Sequence, residues 1–167
     1  MRDMELTDEY LRKIIRTLKK SAAKHRGDTR PGKRRFGVYR YLRDVYQVYL
    51  DLRSRRIART ASRRIAKLFK LSIKKKSHPI RILIEASAGP EDPRQKSRWS
   101  QALKYVYGWR LPATKLKWSL RKNGGISGCA RKYAELKARQ KNNGGQNNII
   151  HRQRGLGEIP KLNVAGI

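Results

Sequence analysis

Apolar residues recur along most of this chain at intervals of three and four, the spacing that places side chains on one face of an α-helix. The first series lies over 7–24, where Thr7 and two acids suit the start of a helix. A second series runs over 38–52 and a third over 57–69. The pattern therefore predicts three amphipathic segments in the first half of the chain.

The apolar stripes over 38–52 and 57–69 point in different directions. If one helix continued through both, their centres would be rotated by roughly 150° about its axis. One long helix would then have to bury opposite faces against different neighbours. We instead expect the chain to turn near 53–56 and a third helix to follow over about 56–75.

The second half of the chain contains further helical segments separated by Gly and Pro. A short apolar run after Pro79 favours a fourth helix, and a Gly- and Pro-rich breaker follows at 88–93. Apolar residues at helical spacing then predict a helix over about 99–108. Two more helices are expected, over about 114–123 and about 126–140.

These segments predict a mainly α fold, a small helical bundle. The breaker divides it into a basic N-terminal helical region over 1–88 and a second helical region over 89–141. The residues at 25–35 combine Gly, Pro and charge without apolar periodicity, which predicts an exposed basic loop. The residues at 142–167 are polar and rich in Gly, which predicts a flexible tail.

The chain is strongly basic, since its 167 residues include 43 Lys and Arg but only 12 Asp and Glu, a formal net charge of +31. About half of this charge lies in 25–76, where 18 Lys and Arg against 3 Asp give +15. Like charges at this density oppose compaction unless a polyanion or counter-ions screen them. Nucleic acid is the expected partner, because each phosphate contact releases condensed counter-ions.

The predicted third helix carries a basic stripe opposite its apolar stripe. Six cations recur there at spacings of three and four, which holds them within about 80° of one face. They are Arg56, Arg59, Arg63, Lys67, Lys70 and Lys74. No acid occurs over 53–76, whereas a merely solvated helix face ordinarily mixes both signs. The missing acids therefore favour phosphate binding.

Three neighbouring groups of cations complete the predicted nucleic-acid-binding site. Arg53, Arg55, Arg64 and Lys75 widen the stripe, and Lys33, Arg34 and Arg35 lie in the predicted loop. Lys115, Arg121, Lys122, Arg131 and Lys132 lie on the last two predicted helices. Those helices, joined by Asn123 and two glycines, have the outline of a helix-turn-helix in which Gly128 permits close packing. Ordinary helical hairpins share this outline.

Several aromatic residues lie among the cations and could stack on unpaired bases. The candidates are Tyr39, Tyr46, Tyr105, Tyr107 and Trp109. Four others are expected in the core, namely Tyr41, Tyr49, Trp99 and Trp118.

The residues give little support for catalysis. The 12 acids, several of them crowded into the first nine residues, supply no cluster for a divalent metal. His25, His78 and His151 are scattered, and no phosphate-binding glycine motif occurs. We therefore expect no enzyme activity, no metal and no cofactor.

Cys129 is the only cysteine, so no disulfide forms within one chain and a reducing compartment is expected. The N-terminus is acidic and lacks an apolar stretch, which predicts no secretory signal. No segment approaches the roughly 18 apolar residues that cross a bilayer, so no membrane partner is expected. We predict a cytoplasmic protein associated with a nucleoid or a ribonucleoprotein.

The sequence leaves three functions open. The first is a DNA-binding protein that neutralises phosphates as an accessory or architectural factor of a larger protein–nucleic acid assembly. The second is an RNA-binding component of a ribonucleoprotein particle. The third is an interaction or inhibitor protein that binds an acidic protein partner through the same cations.

Overall fold

The computed structural model describes residues 6–26, 33–74 and 77–142. These residues form seven α-helices and one 3-10 turn, Ala113–Lys115, and contain no strand. In chain order the helices are α1 (Asp8–Arg26), α2 (Lys33–Ser54), α3 (Ala58–Leu68), α4 (Pro79–Ser87), α5 (Pro93–Gly108), α6 (Leu116–Lys122) and α7 (Gly125–Asn142). The mainly α fold predicted from the sequence is confirmed.

A polar side chain caps the N-terminus of each of three helices. Thr7 Oγ1 accepts a hydrogen bond of 3.2 Å from the backbone N–H three residues later, at the start of α1. His78 Nδ1 and Asp92 Oδ1 accept bonds of 3.2 and 3.0 Å from the N–H two residues later, ahead of α4 and α5. Each side chain satisfies a donor that has no partner within the first helical turn.

A basic residue in the left-handed conformation follows α2, and another follows α3. Arg56 has φ +59° and Lys70 has φ +47°. At the end of α2, the N–H of Ile57 bonds the carbonyl of Leu52 and the N–H of Arg56 bonds that of Arg53, both at 3.0 Å. Lys70 and its successor repeat this pattern after α3. Such a Schellman arrangement turns the chain and satisfies the last carbonyls, and the predicted break between the two helices is confirmed.

The chain divides into two compact units, Met1–Ala134 and Glu135–Ile167. Helices α1 to α6 and the beginning of α7 share one hydrophobic core within the first unit. This core includes residues from before and after the predicted breaker at 88–93. Tyr41 hydrogen-bonds Ser87 at 2.9 Å, and its ring centroid lies 5.6 Å from that of Trp99. In the second unit, the described residues are the end of α7, where Leu136 is exposed.

α2 and α5 run in the same direction and are joined by two contacts between aromatic rings. Tyr41 of α2 meets Trp99 of α5 with ring centroids 5.6 Å apart. Eight residues further along each helix, Tyr49 meets Tyr107 at 5.0 Å. Because the interval is the same on both helices, their C-terminal ends lie at the same end of the first unit.

The helix predicted over 56–75 is shorter than expected. α3 ends at Leu68, after which Leu71 and Ile73 pack against the core while Ser72 and Lys74 are exposed. The N–H of Ile73 bonds the carbonyl of Leu71 at 3.0 Å, so the chain makes a tight turn at Ser72. The chain therefore leaves the helix in order to bury two more apolar residues.

The basic loop predicted over 25–35 is also shorter. Residues 25–26 end α1 and residues 33–35 begin α2, so Lys33, Arg34 and Arg35 lie on a helix. Lys and Arg are good helix formers, and a run of them does not by itself end a helix. Residues 27–32 lie outside the described part of the chain, as does the predicted tail after Asn142.

None of the helices in the described part combines the length and the apolar character that crossing a membrane requires.

Candidate nucleic-acid interface

α3 presents a row of cations opposite its buried face. The buried residues are Ala58, Ala61, Ser62 and Ile65. Arg59, Arg63 and Lys67 recur every four residues on the exposed side. At 1.5 Å per residue they form a row about 12 Å long, which we call the α3 row. Within the described residues, no carboxylate lies within ion-pair distance of these three cations.

Arg64, another predicted contact on α3, is engaged within the fold. Its Nη2 and Nε atoms lie 2.5 and 3.2 Å from Oδ1 of Asp8, and its Nη1 bonds the carbonyl of Leu6. Asp8 belongs to the first turn of α1. This ion pair therefore links α1 to α3.

The other members of the predicted stripe lie outside the helix. Arg55 and Arg56 form the turn before α3, Lys70 follows its C-terminus, and Lys74 lies in the irregular segment after that. All four are exposed, and Lys75 lies outside the described residues. The stripe of six cations predicted on one helix is thus a row of three, with the rest on the adjoining turns.

The ends of α2 and α5 bring together a second group of cations and rings. Nε of Arg53 donates a hydrogen bond of 3.0 Å to the hydroxyl of Tyr107, which joins the last turns of the two helices. Trp109, which follows α5, is 60% exposed, and Arg110 after it has φ +51°. We call Arg53, Arg56, Trp109 and Arg110 the helix-end cluster. Arg110 was not among the residues predicted from the sequence.

Burial raises the pKa of two phenols near the helix-end cluster. It raises the pKa of Tyr46 to about 12 and also raises the pKa of Tyr49. Tyr46, predicted as a base contact, is fully buried, and its hydroxyl donates to the carbonyl of Leu111 at 2.8 Å. The hydrogen bond to Tyr107 raises the pKa of Arg53.

α6 and α7 are joined by a tight turn. Gly124 and Gly125 have φ +80° and +74°. A Cβ atom on Gly128 would lie 2.3 Å from the carbonyl oxygen of Asn123, so the close packing predicted at this glycine is confirmed. Asn123 Oδ1 also accepts a hydrogen bond of 2.9 Å from Nζ of Lys132. Lys132 therefore helps to hold the turn.

The other cations predicted on these two helices are exposed. They are Lys115, Arg121, Lys122 and Arg131, and Arg131 lines an open cleft together with Arg98. Trp118 was expected in the core but is 51% exposed, with Nζ of Lys122 lying 5.0 Å from its ring centroid. Leu116, Ser119 and Leu120 form the buried side of α6, and Trp118 lies on its other side.

Cys129 is a packing residue of α7. Burial raises the pKa of its thiol to about 11, although the charge of Lys132 opposes this effect. The thiol is therefore protonated near neutral pH, and a protonated thiol is a poor nucleophile.

Three groups of exposed cations are candidates for contact with nucleic acid, namely the α3 row, the helix-end cluster, and Lys115 with the exposed cations of α6 and α7; α1 carries further exposed cations, among them Arg16, Lys20 and Lys24. No three His, Cys, Asp or Glu side chains come together within the described ranges to form a metal site. Comparison of the chain with protein-family models, curated proteins and solved structures finds no significant match.

Proposed function

We propose that this chain is a DNA-binding protein that contacts the phosphate backbone through the α3 row. The supporting observation is that Arg59, Arg63 and Lys67 are exposed on the face opposite the buried Ile65, and that no carboxylate of the described residues lies within ion-pair distance of them. Cations crowded together without counter-charges repel one another and oppose folding. An anionic ligand bound along the row offsets this repulsion.

Binding by the α3 row is electrostatic. Each cation placed on a phosphate releases condensed counter-ions, so that the logarithm of the affinity falls linearly with the logarithm of the salt concentration. Arg55 and Arg56 extend the row at one end of α3 and Lys70 extends it at the other. Contacts of this kind position a protein on DNA without reading its sequence, as suits an accessory or architectural factor of a larger assembly.

Reversing the charge of the α3 row tests this proposal. In the triple variant Arg59→Glu, Arg63→Glu, Lys67→Glu, the loss of three phosphate contacts should weaken duplex binding and reduce the salt slope by about 2.7. Fluorescence anisotropy with a labelled duplex across a salt series measures both quantities. Circular dichroism should show unchanged helix content, because all three side chains are exposed.

A matched control separates the α3 row from net charge. The variant Arg16→Glu, Lys20→Glu, Lys24→Glu reverses three exposed cations of α1 at the same spacing, and it changes the formal charge by the same amount. We expect it to retain most of the affinity and the salt slope. An equal loss in both variants would show that total charge determines binding, and would remove the α3 row as the site.

RNA is the second candidate ligand, and it is favoured by the exposure of Trp109. Unpaired bases in RNA loops stack on exposed aromatic rings. The same titration with a structured RNA decides between the two ligands, since tighter binding of RNA at equal salt would replace DNA in the proposal. No binding of either at low salt would refute both and would favour an acidic protein partner.

A further inference from the structure

The C-terminal ends of α2 and α5 meet at one end of the first unit. The rings of Tyr49 and Tyr107 lie 5.0 Å apart, and Arg53 hydrogen-bonds Tyr107 at 3.0 Å. Arg56 follows Arg53 by three residues, and Arg110 follows Tyr107 by three. Arg56 therefore lies just beyond the C-terminus of α2, and Arg110 lies just beyond that of α5.

Both tip arginines hold a backbone conformation that favours glycine. Arg56 has φ +59° and Arg110 has φ +51°, and side chains with a Cβ atom are strained there. A cation near a helix C-terminus complements the helix dipole, but the last turn of α2 already supplies Arg53. Strained residues in an over-determined setting often belong to binding sites. Lys70 adopts the same conformation after α3, so basic residues occupy all three left-handed positions outside glycine in the described residues.

Trp109 gives the helix tips a stacking surface. Its indole is 60% exposed, and its ring meets that of Tyr105 edge-on at 6.4 Å. Proteins that bind single strands combine such exposed rings, which stack on bases, with cations that follow the backbone. The nearest acid along α2 is Asp51, whose carboxylate accepts a hydrogen bond from Gln47 at 2.8 Å.

We propose that the helix-end cluster binds an unpaired segment of the nucleic acid. The indole of Trp109 stacks on one base, while the adjacent Arg110 contacts a neighbouring phosphate. Arg53 remains bonded to Tyr107 and holds the two helix ends together. This site rests on the proposed function and deepens it.

The position of the α3 row specifies the ligand further. α3 begins at Ala58, two residues after Arg56, so the row continues from the same turn as the cluster. A duplex along the α3 row and a single strand on the cluster are thus adjacent. The preferred ligand is a junction at which duplex DNA continues into a single-stranded overhang.

The test compares a blunt duplex with the same duplex carrying a single-stranded overhang. The wild-type chain should bind the overhang duplex more tightly. Trp109→Ala should lose about 5- to 150-fold of affinity for the overhang duplex, the range expected for one stacked base, and little for the blunt duplex. Trp109→Phe, which keeps a stacking ring, should retain most of the preference.

Trp118→Ala is the matched control, because Trp118 is similarly exposed but lies on α6. It should keep the preference for the overhang. Arg110→Gly removes both the charge and the backbone strain, so it should lower overhang affinity without lowering the Tm. That combination excludes unfolding as the cause of weaker binding.

The outcomes separate this inference from the proposed function. If the wild-type chain binds neither DNA, the proposed function fails. If it binds both DNAs equally, the chain is a duplex binder and only the helix-end site is refuted. If Trp109→Ala keeps the preference, the overhang binds elsewhere and the helix-end site is likewise refuted.

Discussion

At the residue scale, Gly128 lies where α7 passes closest to the turn before it. A Cβ atom there would lie 2.3 Å from the carbonyl oxygen of Asn123, and a backbone atom cannot move aside as a flexible side chain can. In an open helix Ala is more stable than Gly by about 1 kcal/mol. Here we expect the reverse, a loss of about 2 kcal/mol for Gly128→Ala, because the backbone has to shift. Urea unfolding measures the difference.

Gly108 provides the control for Gly128. It ends α5, and a Cβ atom added there would meet nothing within 4 Å. Gly108→Ala should therefore leave the free energy of unfolding unchanged or raise it by up to about 1 kcal/mol. If both variants gave the same result, the close approach at Gly128 would not constrain the fold.

Single residues could be predicted where their role depends on near neighbours in sequence. Thr7 as a helix start and Gly128 as a close-packing glycine follow from a few adjacent positions. Tyr46 and Trp118 were assigned to the wrong environments, because their burial depends on which helices pack beside α2 and α6. Arg110 was missed because its left-handed backbone is not visible in residue type.

At the element scale, the end of α3 offers a test of the strained cations. Lys70 has φ +47°, so Lys70→Gly relieves backbone strain and should raise the free energy of unfolding by about 1 kcal/mol. Lys67 lies three residues earlier, inside the helix. Lys67→Gly removes the same charge but should lower the free energy of unfolding by about 1 kcal/mol. Urea unfolding measures both changes. If the two variants changed the free energy of unfolding in the same direction, the lost charge and not the backbone conformation would determine the effect.

Most of the helices could also be predicted from the sequence. The rotation between two apolar stripes and the Gly and Pro residues between segments are local signals. The break between α2 and α3 followed from the rotation of their apolar stripes. The early end of α3 was missed, although the alternation of Leu71, Ser72, Ile73 and Lys74 was a signal against a continued helix. The α3 row could be predicted for the same local reason. The helix-end cluster could not, since it depends on Arg53 meeting Tyr107 across 54 residues.

At the scale of the whole molecule, the formal charge of +31 affects the free protein and its complex in opposite ways. In the free protein, salt screens repulsion between exposed cations, because the Debye length falls from about 10 Å at 0.1 M to about 3 Å at 1 M. In a complex with DNA, salt competes for the phosphates and weakens binding. Ligand binding at 100 times the Kd stabilises a protein by about 2.7 kcal/mol, and this stabilisation disappears as the Kd rises.

We therefore expect the Tm of the free chain to rise with sodium chloride and the Tm of the DNA complex to fall, until the two curves meet at high salt. Differential scanning fluorimetry with and without a short duplex measures both curves. The variant that reverses the α3 row should show a smaller gap between the curves at low salt, because it has lost phosphate contacts while its core is unchanged. Two curves that coincide at every salt concentration would contradict DNA binding, since a folded protein that binds DNA must be stabilised by it.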